Sequence, residues 1–193
     1  SDEAWDEVLE CLGSYLSYVK ERYGVEHELV SFNESDIGIR VRMDTNEHRD
    51  AIVRIREDLA GRGLKTRLLL GDVSRPERLE YVNTAAAAPA ARAAVGAVAF
   101  HSWGAPSETA YRAWAALADA IDRPLMVTEV GLDSQAYKMP WVFDTHTYAM
   151  REFAQYQALF AHARPAVTMH WEYTPDYALA RETQTGVEPT VRH

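Results

Sequence analysis

Apolar positions along the chain follow two alternating rhythms. Between Asp2 and Tyr23 they recur at Trp5, Val8, Leu9, Leu12, Leu16, Val19 and Tyr23, a 3.6-residue stripe that predicts an amphipathic helix. Asp2 and Glu3 suit the positive end of its dipole, and Gly24 supplies the stop. The short run from Glu28 to Phe32 predicts a strand. The helical rhythm returns from Asp44, with Glu47 three residues on as a capping box. Ala51, Ile52, Ile55 and Leu59 form its apolar face, and Gly61 and Gly63 end it. His48, in mid-helix, is expected to face solvent.

The alternation continues to the far end. Arg67 to Leu70 predicts a strand, and Ser74, Pro76 and Glu77 predict a helix start with Pro in the first turn. Ala85 to Ala88, interrupted by Pro89, predicts a helix end followed by a short second helix. Ala97 to Phe100 predicts the third strand. Ser107 is the expected cap of a helix that turns Tyr111, Trp114, Leu117 and Ile121 inward. Pro124 ends that segment, and Leu125 to Thr128 predicts the fourth strand. An aromatic-rich loop runs to about Phe143. A helix then carries Tyr148, Phe153, Tyr156, Leu159 and Phe160, Pro165 punctuates it, and Val167 to His170 predicts the fifth strand. The polar tail from Glu182 is expected to be irregular.

Strands alternating with helices imply βα units and a parallel sheet, hence an α/β fold. An open doubly wound sheet normally carries a glycine-rich phosphate loop after its first strand, and neither GxGxxG nor GxxxxGK occurs here. A (β/α)8 TIM barrel instead places polar residues where its strands end. The five strands run out into Asn33 and Glu34, Asp72, His101 and Trp103, Glu129, and Trp171 with Glu172. Glu34 to Glu129 spans three strand-to-strand steps of about 32 residues, close to the roughly 31 that result when about 250 residues make eight units. The expectation is a single catalytic barrel domain over residues 1–193 that holds about five βα units and lacks the N-terminal strands.

Composition narrows the function classes. The chain has 193 residues, 47% hydrophobic and 25% charged, with a net charge of −9, the profile of an ordinary globular domain. No basic stripe appears, which disfavours nucleic acid and a polybasic membrane contact. No apolar run is long enough to span a bilayer. Cys11 is the only cysteine, so no internal disulfide and no thiolate zinc site can form. The chain begins at Ser1 and shows no signal peptide. Neither localisation nor oligomeric state is legible.

Two carboxyl groups on different elements are what glycosidic cleavage needs, one to protonate the leaving oxygen and one to attack the anomeric carbon, and in the retaining mechanism the two lie about 5 Å apart. Glu34 and Glu129, at two strand ends, meet that requirement. Ser31-Phe32-Asn33-Glu34 resembles the Asn-Glu motif on strand four of clan A glycoside hydrolases, and Val127-Thr128-Glu129 resembles their strand-seven nucleophile segment. Leu68-Leu69-Leu70-Gly71-Asp72 and Phe100-His101-Ser102-Trp103 are worded most like family 30 members. The resemblance covers nearly the whole chain, as strands four to eight. Ser35 departs from it, standing where many members have Pro.

The resemblance implies a retaining glycoside hydrolase acting on β-linked glycosides or glycans, with a carbohydrate substrate and no cofactor. Glu34 would be the acid/base and Glu129 the nucleophile. Asn33 would hydrogen-bond the sugar, His101 would bond Glu129 or the substrate, and Trp171 would offer an apolar face to a pyranose ring. Trp103 joins them as a substrate-binding candidate, followed by Tyr137, Trp141 and Tyr173. Blander readings stand beside these: turn carboxylates, a turn asparagine, a satisfied core histidine and packing aromatics. Asp72 divides between fixing a loop and touching substrate. His48, His146 and His170 with Asp133 lack paired metal-ligand spacing, so no metal is expected. Ser102 and Ser134 lack a GxSxG elbow. Two alternatives remain open, a non-catalytic carbohydrate-binding barrel and a metal-dependent barrel hydrolase.

Overall fold

The computed structural model describes residues 2–32, 34–38, 41–172, 177, 180–183 and 186–189. Helices and strands alternate as α1 (Asp2–Tyr23), β1 (Leu29–Val30), α2 (Thr45–Gly61), β2 (Arg67–Val73), α3 (Glu80–Ala86), α4 (Pro89–Ala94), β3 (Val95–Trp103), α5 (Glu108–Ile121), β4 (Leu125–Gly131), α6 (His146–Ala158) and β5 (Val167–His170). A two-stranded antiparallel ribbon follows, β6 (Ala180–Thr183) with β7 (Gly186–Pro189). The first five strands are parallel and ordered β1-β2-β3-β4-β5. The fold class is therefore α/β, as expected. The chain divides into two compact units, and the division runs through β3: residues 1–72 and 80–98 form the first, residues 73–79 and 99–193 the second.

In the first unit the expected stripes fold as helices. The Asp44 carboxylate accepts from the Asn46 and Glu47 amides, and the Glu47 carboxylate accepts from the Asp44 amide, which completes the capping box. Ala51, Ile52, Ile55 and Leu59 are buried, each large one contributing roughly 1.5–3 kcal/mol by leaving water. β2 buries every residue after Arg67, the continuous pattern of a strand covered on both faces. Helix α1 packs on α2, where the Arg62 guanidinium fills the space beside Gly13: a Cβ there would stand 2.2 Å from Nε. Gly24 ends α1 with φ +69, its amide donating to the Lys20 carbonyl.

In the second unit α5 turns Tyr111 and Trp114 onto Phe100 of β3, with ring centroids 5.7 and 5.0 Å apart. A second cluster joins Leu132, Ala136, Phe143, Tyr148 and Tyr177 over the aromatic loop, which folds into two 3-10 turns, Ala136–Lys138 and Pro140–Asp144. β5 ends the strand order with Val167 40% and Met169 45% exposed, unlike β3, which is buried from Ala97 to Ser102. Among the described residues no helix is long and apolar enough to cross a membrane.

Four sequence expectations need correction. Residues 74–79 are not helical: Trp114 Nε1 donates to the Pro76 carbonyl at 2.6 Å, holding it in a turn, and the helix starts at Glu80. Ser107 precedes α5 without a side-chain capping bond. The described residues of the tail, 180–183 and 186–189, are not irregular, since backbone pairing from Ala180↔Pro189 to Thr183↔Gly186 satisfies groups that a polar sequence leaves open. His48 is fully buried rather than solvent-facing, for reasons that belong to the site.

Candidate active site

In the first unit the polar strand end is a turn after β1. Glu34 is 6% exposed and holds φ +52, a left-handed conformation that costs a non-glycine residue roughly 1–2 kcal/mol. What holds it there is hydrogen bonding. The Glu34 amide donates to the Asp72 carbonyl at 2.8 Å, and the Glu34 carbonyl accepts from the amides of Ile37 and Gly38. Asp72 is itself left-handed at φ +52, after Gly71 at φ +90, so the end of β2 is shaped to receive the turn. Ser31 Oγ donates to the Asp72 carboxylate, which places Asp72 in the loop-fixing role.

Beneath this turn lies the missed histidine. Ser35 and His48 are both fully buried, with Ser35 Oγ 3.0 Å from His48 Nδ1. The Gly71 amide donates to His48 Nε2 at 3.3 Å, so Nε2 is an acceptor and Nδ1–H is the donor to Ser35. Burial lowers the His48 pKa to about 4, against the opposing pull of Asp36 and Asp72. The helical stripe does contain the signal for this burial, because position 48 precedes Ile52 and Ile55 by four and seven residues. Residue type alone suggested a solvated face.

In the second unit the chemistry lies inside the sheet. Relative to β5, β4 carries one extra residue between Val127 and Val130, a bulge that includes Glu129. Bulges re-aim a side chain and are common beside active sites. Two donors meet the Glu129 carboxylate at the same oxygen, Oε2: Trp103 Nε1 at 3.1 Å and His101 Nδ1 at 3.2 Å. His101 is 1% exposed and Glu129 12%. His101 and Trp103 are two residues apart on β3 and so project to the same face, which is why one strand delivers both to one carboxylate. Trp103 has little freedom, because its ring edge lies 2.3 Å from where a Cβ would stand on Gly131.

A further residue holds β3 and β4 in this arrangement and was not singled out in the sequence. Gln155 of α6 is fully buried, and its Nε2 donates to the carbonyls of Ser102 at 2.7 Å and Gly131 at 3.1 Å. Ser102 Oγ, 3.1 Å from the same nitrogen, also meets Tyr111 Oη at 2.6 Å. Its place seven residues after Tyr148 and four before Leu159, both apolar and buried, is the signal the sequence offered.

The structure thus joins His101, Trp103 and Glu129, and builds Glu34 into a buried turn. Trp171, 37% exposed, follows β5 with its amide donating to the Val130 carbonyl at 3.0 Å. Trp103 serves Glu129 directly as well as packing on Tyr177 at 5.7 Å. Tyr137 and Trp141 are 42% and 64% exposed. Asn33 and Tyr173 lie outside the described residues.

The sequence matches no protein-family model and no curated protein at a significant level. Solved structures do match. A GH30 endoxylanase from Clostridium papyrosolvens superimposes with a TM-score of 0.70 at 16% identity, over 93% of this chain and 42% of that one. SrfJ from Salmonella typhimurium gives 0.69 at 16% identity, over 98% and 45%. The endo-β1,6-glucanase BT3312 gives 0.67 at 12% identity, over 94% and 44%. Further matches include a glycoside hydrolase family 30 xylanase from Clostridium acetobutylicum and a GH39 enzyme from Xanthomonas axonopodis. The chain spans less than half the length of these proteins, and at such identities the likeness is one of fold: about five βα units of a (β/α)8 barrel.

Proposed function

We propose that the chain supplies strands four to eight of a retaining glycoside hydrolase that cleaves β-linked glycosides or glycans by double displacement. The observation that carries this reading is the bulged Glu129, with His101 and Trp103 donating to one of its oxygens. A carboxylate gripped at one oxygen is oriented at both, which is what an attacking group requires. Glu34 takes the complementary role. Its buried turn offers a carboxyl group in a fixed place, as a proton donor to the leaving oxygen and a base toward water in the second step. The barrel likeness supports the pairing, because such sites gather residues from the C-terminal ends of several strands. Asn33 and Trp171 would bind the sugar, the former at its hydroxyls and the latter as an apolar platform.

The test is replacement of the nucleophile in the full chain. Glu129→Ala should lose turnover by several orders of magnitude, and azide should restore part of it as a glycosyl azide of inverted anomeric configuration. An Ala variant that keeps near-normal hydrolysis would remove Glu129 from the mechanism. Activity abolished by chelation and restored by a divalent ion would instead favour a metal-dependent hydrolase.

A further inference from the structure

We infer that Ser35 and His48 form a positioning pair for Glu34, a polar bracket beneath the turn that fixes where the acid/base carboxyl stands. The inference rests on the acid/base reading of Glu34 and adds residues that the reading does not use. Two adjacent residues at the end of β2 hold two adjacent residues of the turn. The Asp72 carbonyl takes the Glu34 amide directly at 2.8 Å. The Gly71 amide reaches Ser35 through the imidazole, by 3.3 Å to His48 Nε2 and 3.0 Å from Nδ1 to Ser35 Oγ. The first link sets the height of the turn at Glu34, and the second resists its rotation. The second link adds a side-chain hold on the residue next to Glu34, whose conformation is unfavourable for its residue type.

The surroundings make the bracket rigid. The Ser35 carbonyl accepts from the Met43 amide at 3.0 Å, and the Met43 carbonyl accepts from Tyr81 Oη at 2.9 Å. Phe32 and Tyr81 meet the imidazole edge-on, at 5.9 and 5.8 Å between centroids, and so fix its plane. The charged groups acting on the ring are Asp36 and Asp72, and burial outweighs both, which keeps the ring neutral with one donor and one acceptor as the bracket demands. Where clan A relatives commonly have a proline after the acid, this chain has a serine with a dedicated partner. A hydrogen bond can stiffen a turn as a ring does.

The experiment compares kcat/KM for two β-glycosides in the full chain, one with a dinitrophenyl leaving group that departs without a proton and one with an alkyl leaving group that needs it. Glu34→Gln is measured first and should slow only the alkyl glycoside strongly. Ser35→Ala and His48→Phe should then reproduce that selectivity in weaker form. The expected loss is roughly tenfold or more on the alkyl glycoside, with less than about threefold on the dinitrophenyl one. His48→Gln, which keeps a donor and an acceptor, should recover much of the difference, and it carries the comparison if His48→Phe does not fold. A structural defect would lower both substrates together. Equal losses in Ser35→Ala and His48→Phe beside a selective Glu34→Gln would overturn the bracket alone. A Glu34→Gln variant that slows both substrates equally would overturn the acid assignment, and the bracket with it.

Discussion

Glu34 follows a strand of two residues, on a left-handed turn held by backbone amides and a buried imidazole. Glu129 lies within a strand of seven, on a bulge, held by two aromatic side chains that donate to one of its oxygens. The backbone of the first is fixed in a turn, and the carboxylate of the second is gripped at its head. On the proposed roles these solutions suit different tasks. A proton donor works over a hydrogen bond and tolerates some swing of its side chain, whereas a nucleophile must hold one oxygen within bonding reach of carbon. The contrast predicts that the two regions fail differently. The Glu34 region should respond to changes beneath the turn, and the Glu129 region to changes around the carboxylate.

The largest effect separates the two carboxylates themselves. Glu129→Gln keeps the shape and both neighbouring donors but loses the attacking charge. It should slow dinitrophenyl and alkyl glycosides alike by several orders of magnitude. Glu34→Gln should cost about 10²–10⁴-fold on the alkyl glycoside and far less on the dinitrophenyl one. Steady-state kcat/KM on the two substrates checks it. The same selectivity in both variants would erase the distinction of roles.

The next effect is confined to the Glu34 region. His48 has a folded pKa of about 4 against 6.5 when free, so between those values the unfolded chain binds more protons. The neutral ring's contribution is therefore complete above pH 6.5 and is lost as pH falls toward 4. The full loss is on the order of 3 kcal/mol. His48→Gln should remove this dependence, leaving a flatter acid limb in unfolding free energy measured across the window. An unchanged slope would mean that His48 is not held neutral by its surroundings.

How much of this was legible in the sequence follows from which forces act locally. The capping box at Asp44, the stripe of α2 and the glycine after α1 are decided within a few residues, and they formed as expected. The α/β alternation was legible for the same reason. The strand ends named Glu34, Asp72, His101, Trp103 and Glu129 without any view of their contacts. What escaped was set by distant partners. Trp114 holds the Pro76 carbonyl from 38 positions away and cancels a helix start that has good local signals. His48 is buried because Ser35 and Gly71 satisfy both ring nitrogens, a condition that no stripe encodes. The bulge at Glu129 depends on the register with β5 and leaves no mark in the motif.

In the Glu129 region the sharpest lever is the smallest residue. A Cβ at Gly131 would stand 2.3 Å from Trp103 Cζ3 and 2.8 Å from Cε3, which forces the indole to move. Its Nε1–H would then leave the carboxylate. Gly131→Ala should lower kcat by about 10²-fold, the cost of displacing a reacting group by roughly an ångström. The drop should be equal on both glycosides if Glu129 is the nucleophile, as proposed. A loss confined to the alkyl glycoside would tie Trp103 to proton transfer instead.

The smallest effect is structural and tests whether the grip on Glu129 depends on support from behind. Gln155 gives both amide protons to β3 and β4, and its Oε1 has no hydrogen-bond partner among the described residues. A buried amide with an orphaned oxygen is an expensive way to join two carbonyls, so a simple stability argument would favour leucine there. Leucine, however, leaves the Ser102 and Gly131 carbonyls without this donor, at about 1–3 kcal/mol for a buried unsatisfied group. Gln155→Leu should thus destabilise the fold by about 2 kcal/mol in urea unfolding. Because Ser102 lies between His101 and Trp103 on β3, it should also lower kcat on both glycosides. Gln155→Glu keeps the length but replaces both donated protons with an acceptor facing two carbonyls, and should be worse on both readouts. If leucine instead raised stability and left kcat unchanged, the strap would be dispensable, and the grip on Glu129 would rest on the bulge and Trp103 packing alone.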